Sequence, residues 1–279
     1  MRCNPIYPII LTASLSAAWP ANAQQTPGAT VSTAQKRTDD SSDPSGFIGL
    51  GGAIIPKYDG SESYKPSPFV IGNVEWKGLD LQFRGKSARL DVISSDAVQF
   101  GPVLVLRSGR DQPDGDGRVA LLPGIDDAVE VGAFAGYRFG GDATGEGEVA
   151  ITFTALKDVS DTHDGFLASA QISYAVLRGK GFTLDVDAET TYGDKKYTRT
   201  YFGVTPEQAE ISGLDPYRPG AGLQDVSAGL TAGVHLSGRW GLIGRLGGSY
   251  YVGDAKDSPI VDEGSKFQGM AALGLTFRF

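Results

Sequence analysis

The chain has 279 residues, a formal charge of −8, 41% hydrophobic residues, 39 glycines and one cysteine. An acidic balance of this kind has no electrostatic footprint for nucleic acid, and a lone thiol excludes any internal disulfide. The length admits one large all-β domain or two ordinary ones, and no Pro/Ser-rich linker divides the body of the chain.

At the amino terminus, Arg2 precedes an apolar stretch from Ile6 to Trp19 and then the small-residue pattern Ala21-Asn22-Ala23. This is the layout of a secretory signal peptide over residues 1–23, with cleavage after Ala23. The apolar run, interrupted by Pro5 and Pro8 near its start, is too short for a spanning helix. Cys3 leaves with it. Residues 24–45 are rich in Gln, Thr, Ser and Asp and cannot bury enough apolar surface to fold alone, so a disordered periplasmic segment is expected there.

From residue 46 onward the dominant signal is a period of two. Strands are expected near 46–55, 68–76, 79–84, 87–93, 97–107, 128–139, 147–157 and 165–177. Four more follow, and they are the most regular. Phe182, Leu184, Val186 and Ala188 oppose Thr183, Asp185, Asp187 and Glu189. Val226, Ala228, Leu230, Ala232 and Val234 oppose Ser227, Gly229, Thr231, Gly233 and His235. Trp240, Leu242, Leu246 and Tyr250 oppose Gly241, Ile243, Arg245 and Ser249. In the last, Phe267, Ala271, Leu273, Leu275, Phe277 and Phe279 oppose Gln268, Met270, Ala272, Thr276 and Arg278. Strands this long, apolar on one face and free of charge at the centre of that face, predict an antiparallel transmembrane β-barrel over 46–279. It would have twelve strands, or ten if the short pair at 79–93 drops out.

The connections alternate between short turns and long loops. The loops at 56–67, 108–127, 158–164, 192–224 and 253–265 are long, and only the tight turn Gly85-Lys86 breaks the rule. Outer-membrane barrels keep short turns on the periplasmic side, so both termini are expected in the periplasm. Phe279, with Leu273, Leu275 and Phe277 at alternate positions before it, resembles the signal read by the outer-membrane assembly machinery.

The loop stretch Tyr201-Phe202-Gly203-Val204-Thr205-Pro206-Glu207-Gln208-Ala209, with Gly213-Leu214, Gly220-Ala221-Gly222-Leu223 and Asp225-Val226, resembles the MipA/OmpV family. So does the stretch Gly253-Asp254-Ala255-Lys256-Asp257-Ser258-Pro259-Ile260-Val261, continued to Phe279. The resemblance implies an outer-membrane protein of a Gram-negative cell, in contact with lipid and lipopolysaccharide. For some members it implies a scaffold joining a murein transglycosylase to a murein synthase; others are linked to adhesion or permeability.

Candidate chemistry is sparse, and no cofactor or enzymatic activity is expected. His235 and Ser237 fall beside a short turn with no third group to orient the imidazole, so His235 is read as a structural or solvated lumen residue. His163, flanked by Thr162 and Asp164, is placed in a polar outer loop. Asp111, Asp114 and Asp116 do not fit a calcium loop, because the position of the bidentate Glu is Pro123. The lumen face would carry Asp80, Asp91, Glu130, Asp185, Asp187 and Glu189 against Arg84, Arg89, Arg138 and Arg245. Two readings stay open: charges that pair and fill the interior, or a cation-preferring channel lined by the three acids from Asp185 to Glu189.

Overall fold

The computed structural model describes residues 43–112 and 115–279. The signal-peptide segment and most of the polar segment after it therefore lie outside the described residues. Twelve antiparallel strands close into one barrel, each paired with its sequence neighbours and the last paired back to the first. They are β1 (Ser45–Pro56), β2 (Tyr64–Trp76), β3 (Leu79–Arg84), β4 (Ser87–Asp91), β5 (Val98–Arg107) and β6 (Ala128–Gly140), followed by β7 (Glu148–Asp158), β8 (Phe166–Arg178), β9 (Phe182–Gly193), β10 (Gly222–Ser237), β11 (Trp240–Tyr251) and β12 (Phe267–Arg278). The short pair β3 and β4 belongs to the wall, which settles the strand count at twelve.

The alternation in sequence becomes an inside and an outside. In β5, Val98, Phe100, Pro102, Leu104 and Leu106 are exposed on the outer surface, while Gln99, Gly101, Val103 and Val105 are buried inside. Tyr64, Phe166, Tyr192, Tyr250 and Phe267 girdle one end of the outer face, and Trp76, Tyr137, Phe139, Phe182 and Trp240 girdle the other. An apolar band between aromatic girdles is a surface for lipid, where an Arg or Lys at mid-depth would cost about 2 to 4 kcal/mol.

One expected boundary is wrong. Sequence places the proline-containing stretch 64–67 in a loop, but β2 begins at Tyr64 and its outer half pairs with β1 through Pro56↔Tyr64, Ile54↔Pro66 and Gly52↔Pro68. Proline interrupts a ladder only on the side to which its nitrogen points. Val70 turns its carbonyl toward Gly85, so the even-numbered residues of β2 point away from β1. Pro66 and Pro68 thus withhold donors on the side of β2 away from β1, where β3 joins the strand only from Ile71 inward.

The long loops are folded. That between β9 and β10 carries α1 (Lys195–Phe202) and α2 (Pro206–Ser212), and that between β11 and β12 carries α3 (Gly253–Lys256) and α4 (Pro259–Glu263). Asp194 caps α1 by accepting from the Lys196 and Tyr197 amides at 3.0 and 2.9 Å. Thr205 and Gln208 form a capping box at α2, with Pro206 in its first turn and Gly213 left-handed at its end.

Candidate functional site

On the inner face the charged residues are bonded to arginines, side-chain amides or backbone amides of the same or neighbouring strands. The Arg245 guanidinium donates to both oxygens of Asp187 at 2.9 and 3.0 Å and to Thr231 Oγ1 at 2.9 Å. It can cross β10 because Gly229 stands beneath it: a Cβ there would come within 2.4 Å of the guanidinium. Asp185 pairs with Arg178 at the end of β8, and Glu189 accepts from Gln171 Nε2 at 3.0 Å. Opposite, Asp80 accepts from Asn73 and, at 2.6 Å, from Gln82 Nε2. Asp91 accepts from the backbone amides of Ile93 and Phe100 at 3.0 and 3.1 Å. Arg138 faces inward, its Nε buried without a partner among the described residues. The two ion pairs are held by geometry in a low-dielectric interior, because each partner alone would be a stranded charge. Leu273, Leu275, Phe277 and Phe279 lie on the lipid face of the closing strand and its end.

Nearer the loop end, Arg107 donates to Glu130 at 2.6 and 3.2 Å. His163 completes this cluster, contrary to the expectation of a polar loop residue. It is only 3% exposed, and its Nδ1 accepts from the Gly165 amide at 3.1 Å, which leaves Nε2 as the donor to Glu130, 3.1 Å away. The ring packs edge-on to Tyr197, with centroids 5.3 Å apart. The polar neighbours misled because burial here comes from α1, a distant segment that local sequence does not display. His235, by contrast, is exposed beside the β10–β11 turn. Among the described residues no group of His, Cys, Asp and Glu could hold a metal ion.

The helices and loops form a cap over this end. Tyr197, Tyr201 and Phe202 of α1 bury themselves against Leu167, Tyr251, Ala255 and Val261. A second cluster joins Tyr58, Val119, Leu122, Val204, Leu214 and Ile260 from four loops. Two carboxylates clamp it. Asp116 accepts from Ser61 Oγ at 2.5 Å and from the Glu62 and Ser63 amides at 3.1 and 3.3 Å. Glu263 receives Arg118 at 2.7 and 3.0 Å.

Partial burial works to raise the Asp116 carboxyl, but the hydrogen bonds from Ser61, Ser63 and Glu62 outweigh it and hold the group below its usual 3.8. The hydrogen bonds from Arg118 hold Glu263 below its usual 4.5. A depressed carboxylate contributes stability that is complete above its unfolded value and is lost as pH falls through its folded value. The cap is therefore expected to be intact at pH 5 and to loosen below about pH 4. An acid protease, corrected for its own pH profile with a denatured substrate, should cleave the 194–221 segment increasingly between pH 4 and pH 3 while the barrel stays whole. Unchanged cleavage over that range would remove the clamp from the account.

Beneath the cap lies a cavity of about 210 Å³ bounded by Ile55, Phe69, Val105, Tyr197, Phe202 and Arg245. A second space of about 260 Å³ opens at the turn end, bounded by Phe47, Glu75, Arg178, Lys180 and His235. Arg245 borders the first and Arg178 the second.

A closed antiparallel barrel with an apolar belt outside and paired charges inside is a transmembrane β-barrel of the outer-membrane class. Residues 48–279 match the family model for MltA-interacting protein MipA, and the chain belongs to that family. Among solved structures it is similar to the KdgM porin (10% identity, TM-score 0.39, 84% of this chain and 99% of that one) and to the NanC porin (10%, 0.43, 84% and 100%). It is also similar to an outer membrane channel from Pseudomonas putida F1 (10%, 0.43, 85% and 95%). The comparison with curated proteins gives no match.

Proposed function

We propose that this protein is a non-enzymatic outer-membrane scaffold that docks murein-remodelling enzymes on its periplasmic, short-turn side. The observation that carries the reading is the capped loop end of the barrel. The cap packs over the loop end, and Arg245–Asp187 and Arg178–Asp185 occupy the inner wall of β8 to β11. A barrel capped in this way offers its rim and termini more readily than a conduit. The family description supports a transglycosylase as one partner. Both termini would lie in the periplasm, since β1 and β12 meet at the short-turn end through Gly46 and Phe279.

Residues 24–45, with the turns at 140–146 and 178–181, are the surface available for docking. Ordering such a segment on binding costs several kcal/mol of the gross interaction, so affinity would be modest. Deleting residues 26–43 while keeping the cleavage site should leave a heat-modifiable barrel in the outer membrane and reduce copurification of murein enzymes several-fold. Full retention of those partners would refute docking by this segment.

A second reading, a narrow cation-preferring channel, draws support from the two cavities, one beneath the cap and one at the turn end. In that reading Glu189 is the principal acid, because Asp185 and Asp187 are neutralised by their arginines.

A further inference from the structure

We infer that the capped cavity is a binding site for a zwitterionic solute whose ammonium and carboxylate lie at opposite ends, as in a short peptide with free termini. The first pole of the site is a set of acceptors without donors. Glu189 Oε1, Gln224 Oε1, Asp225 Oδ1 and Gln268 Oε1 are buried and have no hydrogen-bond partner among the described residues. All four residues line this cavity. Neither glutamine can be turned round, because each amide nitrogen already serves a carbonyl, which cannot donate. Gln224 Nε2 donates to the Gly222 carbonyl at 2.8 Å, and Gln268 Nε2 to those of Ser61 and Ser265 at 3.1 and 2.9 Å. Buried acceptors left without donors cost free energy, which an ammonium group brought among them recovers.

This pole is built into the ladder of β10. Leu223 pairs with Tyr192 and Asp225 with Thr191, so Gln224 is an extra residue opposite β9. Strict alternation would send Gln224 to the lipid face with Val226. The bulge turns it inward beside Asp225, the kind of re-aiming for which bulges are used.

The second pole faces the first. In a ring of twelve strands, β3 and β4 stand opposite β9 and β10, and they bring Arg84 and Arg89 to the same cavity. Arg89 donates from Nε and Nη2 to Gln82 Oε1 at 2.9 and 2.6 Å, and Arg84 reaches the same oxygen at 3.4 Å. Among the described residues neither makes an ion pair, whereas Arg107 and Arg245 in the same cavity each hold a carboxylate. Two guanidiniums sharing one neutral oxygen are a receptor for a carboxylate. Between the poles the wall is apolar: Ala53, Ile55, Phe69, Ile71 and Met270 come from β1, β2 and β12. A simple cation would leave the guanidiniums unanswered, and a simple anion the acceptors. An α-amino acid carries its two charges side by side, so poles on facing walls call for charges at the two ends of an apolar body.

The test titrates trileucine and its end-blocked forms calorimetrically into the full barrel in nanodiscs, with empty nanodiscs as the blank. The unaltered protein is expected to bind trileucine. Acetylating the amino end or amidating the carboxyl end should each weaken binding about tenfold or more, the loss of charge-assisted bonds. The two penalties should belong to opposite walls. In R84Q/R89Q amidation should no longer matter while acetylation still does, and in E189Q/D225N the reverse should hold. R84K/R89K, which keeps both charges, should retain most of the affinity. Heat-modifiable mobility confirms that each variant is folded, and if one is not, the blocked peptides on the unaltered protein still decide. No binding of trileucine, equal affinity for the blocked forms, or a penalty at one end alone overturns the site. Penalties that persist unchanged in both folded double variants place the peptide elsewhere and overturn it too.

Discussion

Replacing Arg245 by methionine is expected to destabilise the barrel by about 3 to 5 kcal/mol, the usual consequence of removing one partner from a buried ion pair. The loss is large because Asp187, itself buried, would keep its charge without the two bonds it now accepts, and Thr231 would lose a donor as well. Methionine fills part of the vacated volume, so the effect is mainly electrostatic. The double variant R245M/D187L removes both charges and should recover most of the stability, since hydrophobic replacement of a buried pair is often neutral. Denaturant unfolding in detergent, followed by the heat-modifiable band, separates these outcomes. If R245M alone unfolds with the unaltered midpoint, the pair does not hold the lumen. The same variants bear on the channel reading, because withdrawing the guanidinium enlarges the free lumen beside Arg245 and should raise single-channel conductance in planar bilayers.

Phe202→Ala is expected to detach the cap while leaving the barrel closed. Phe202 is 1% exposed and meets Tyr251 edge-on at 5.2 Å, and its carbonyl accepts from Ser258 Oγ at 2.7 Å, which binds α1 to α4. Removing such a ring costs about 3 to 5 kcal/mol, and most of that falls on the docking of α1 against the wall. A loss of about 3 kcal/mol in local stability raises the open population by roughly a hundredfold. Trypsin should then cut after Lys195, Lys196 or Arg199 on that scale of acceleration, with heat-modifiable mobility preserved. Unaltered cleavage would mean that α1 is held by its cap and loop bonds and not by the aromatic cluster.

Much of this architecture is legible in sequence, and the reason is physical. Lipid and lumen make opposite demands on adjacent residues, so β5 and β9 to β12 announce both their period and their facing. The first residues of β2, 64–67, are illegible by the same rules, because Pro66 signals a loop wherever both edges of a strand must pair, and only the three-dimensional edge reveals that one need not. The inward arginines could be found by alternation, but their partners could not: Arg178 meets Asp185 and Arg245 meets Asp187 through register and strand tilt. The cap left local traces, with Asp194 before α1 and Thr205-Pro206 with Gln208 before α2. Each helix is too short to show an apolar period. His163 had no trace at all.

The seam between β1 and β12 has a bearing on how the chain becomes a barrel. Its register runs from Phe47↔Arg278 to Ile54↔Ala271, joining the most distant strands of the sequence. Until it forms, the molecule is an open ribbon with two bare edges, each able to capture another copy. Glycine is concentrated there: Gly51 faces Gly274, and a Cβ on Gly51 would strike the Leu273 carbonyl at 1.9 Å. A zipper with so few teeth can be brought together late without side chains having to interlock, provided something shields both edges in the meantime. Closure is then all or nothing, and a chain that loses its final hairpin has no smaller barrel to settle into without rebuilding its tilt and stagger.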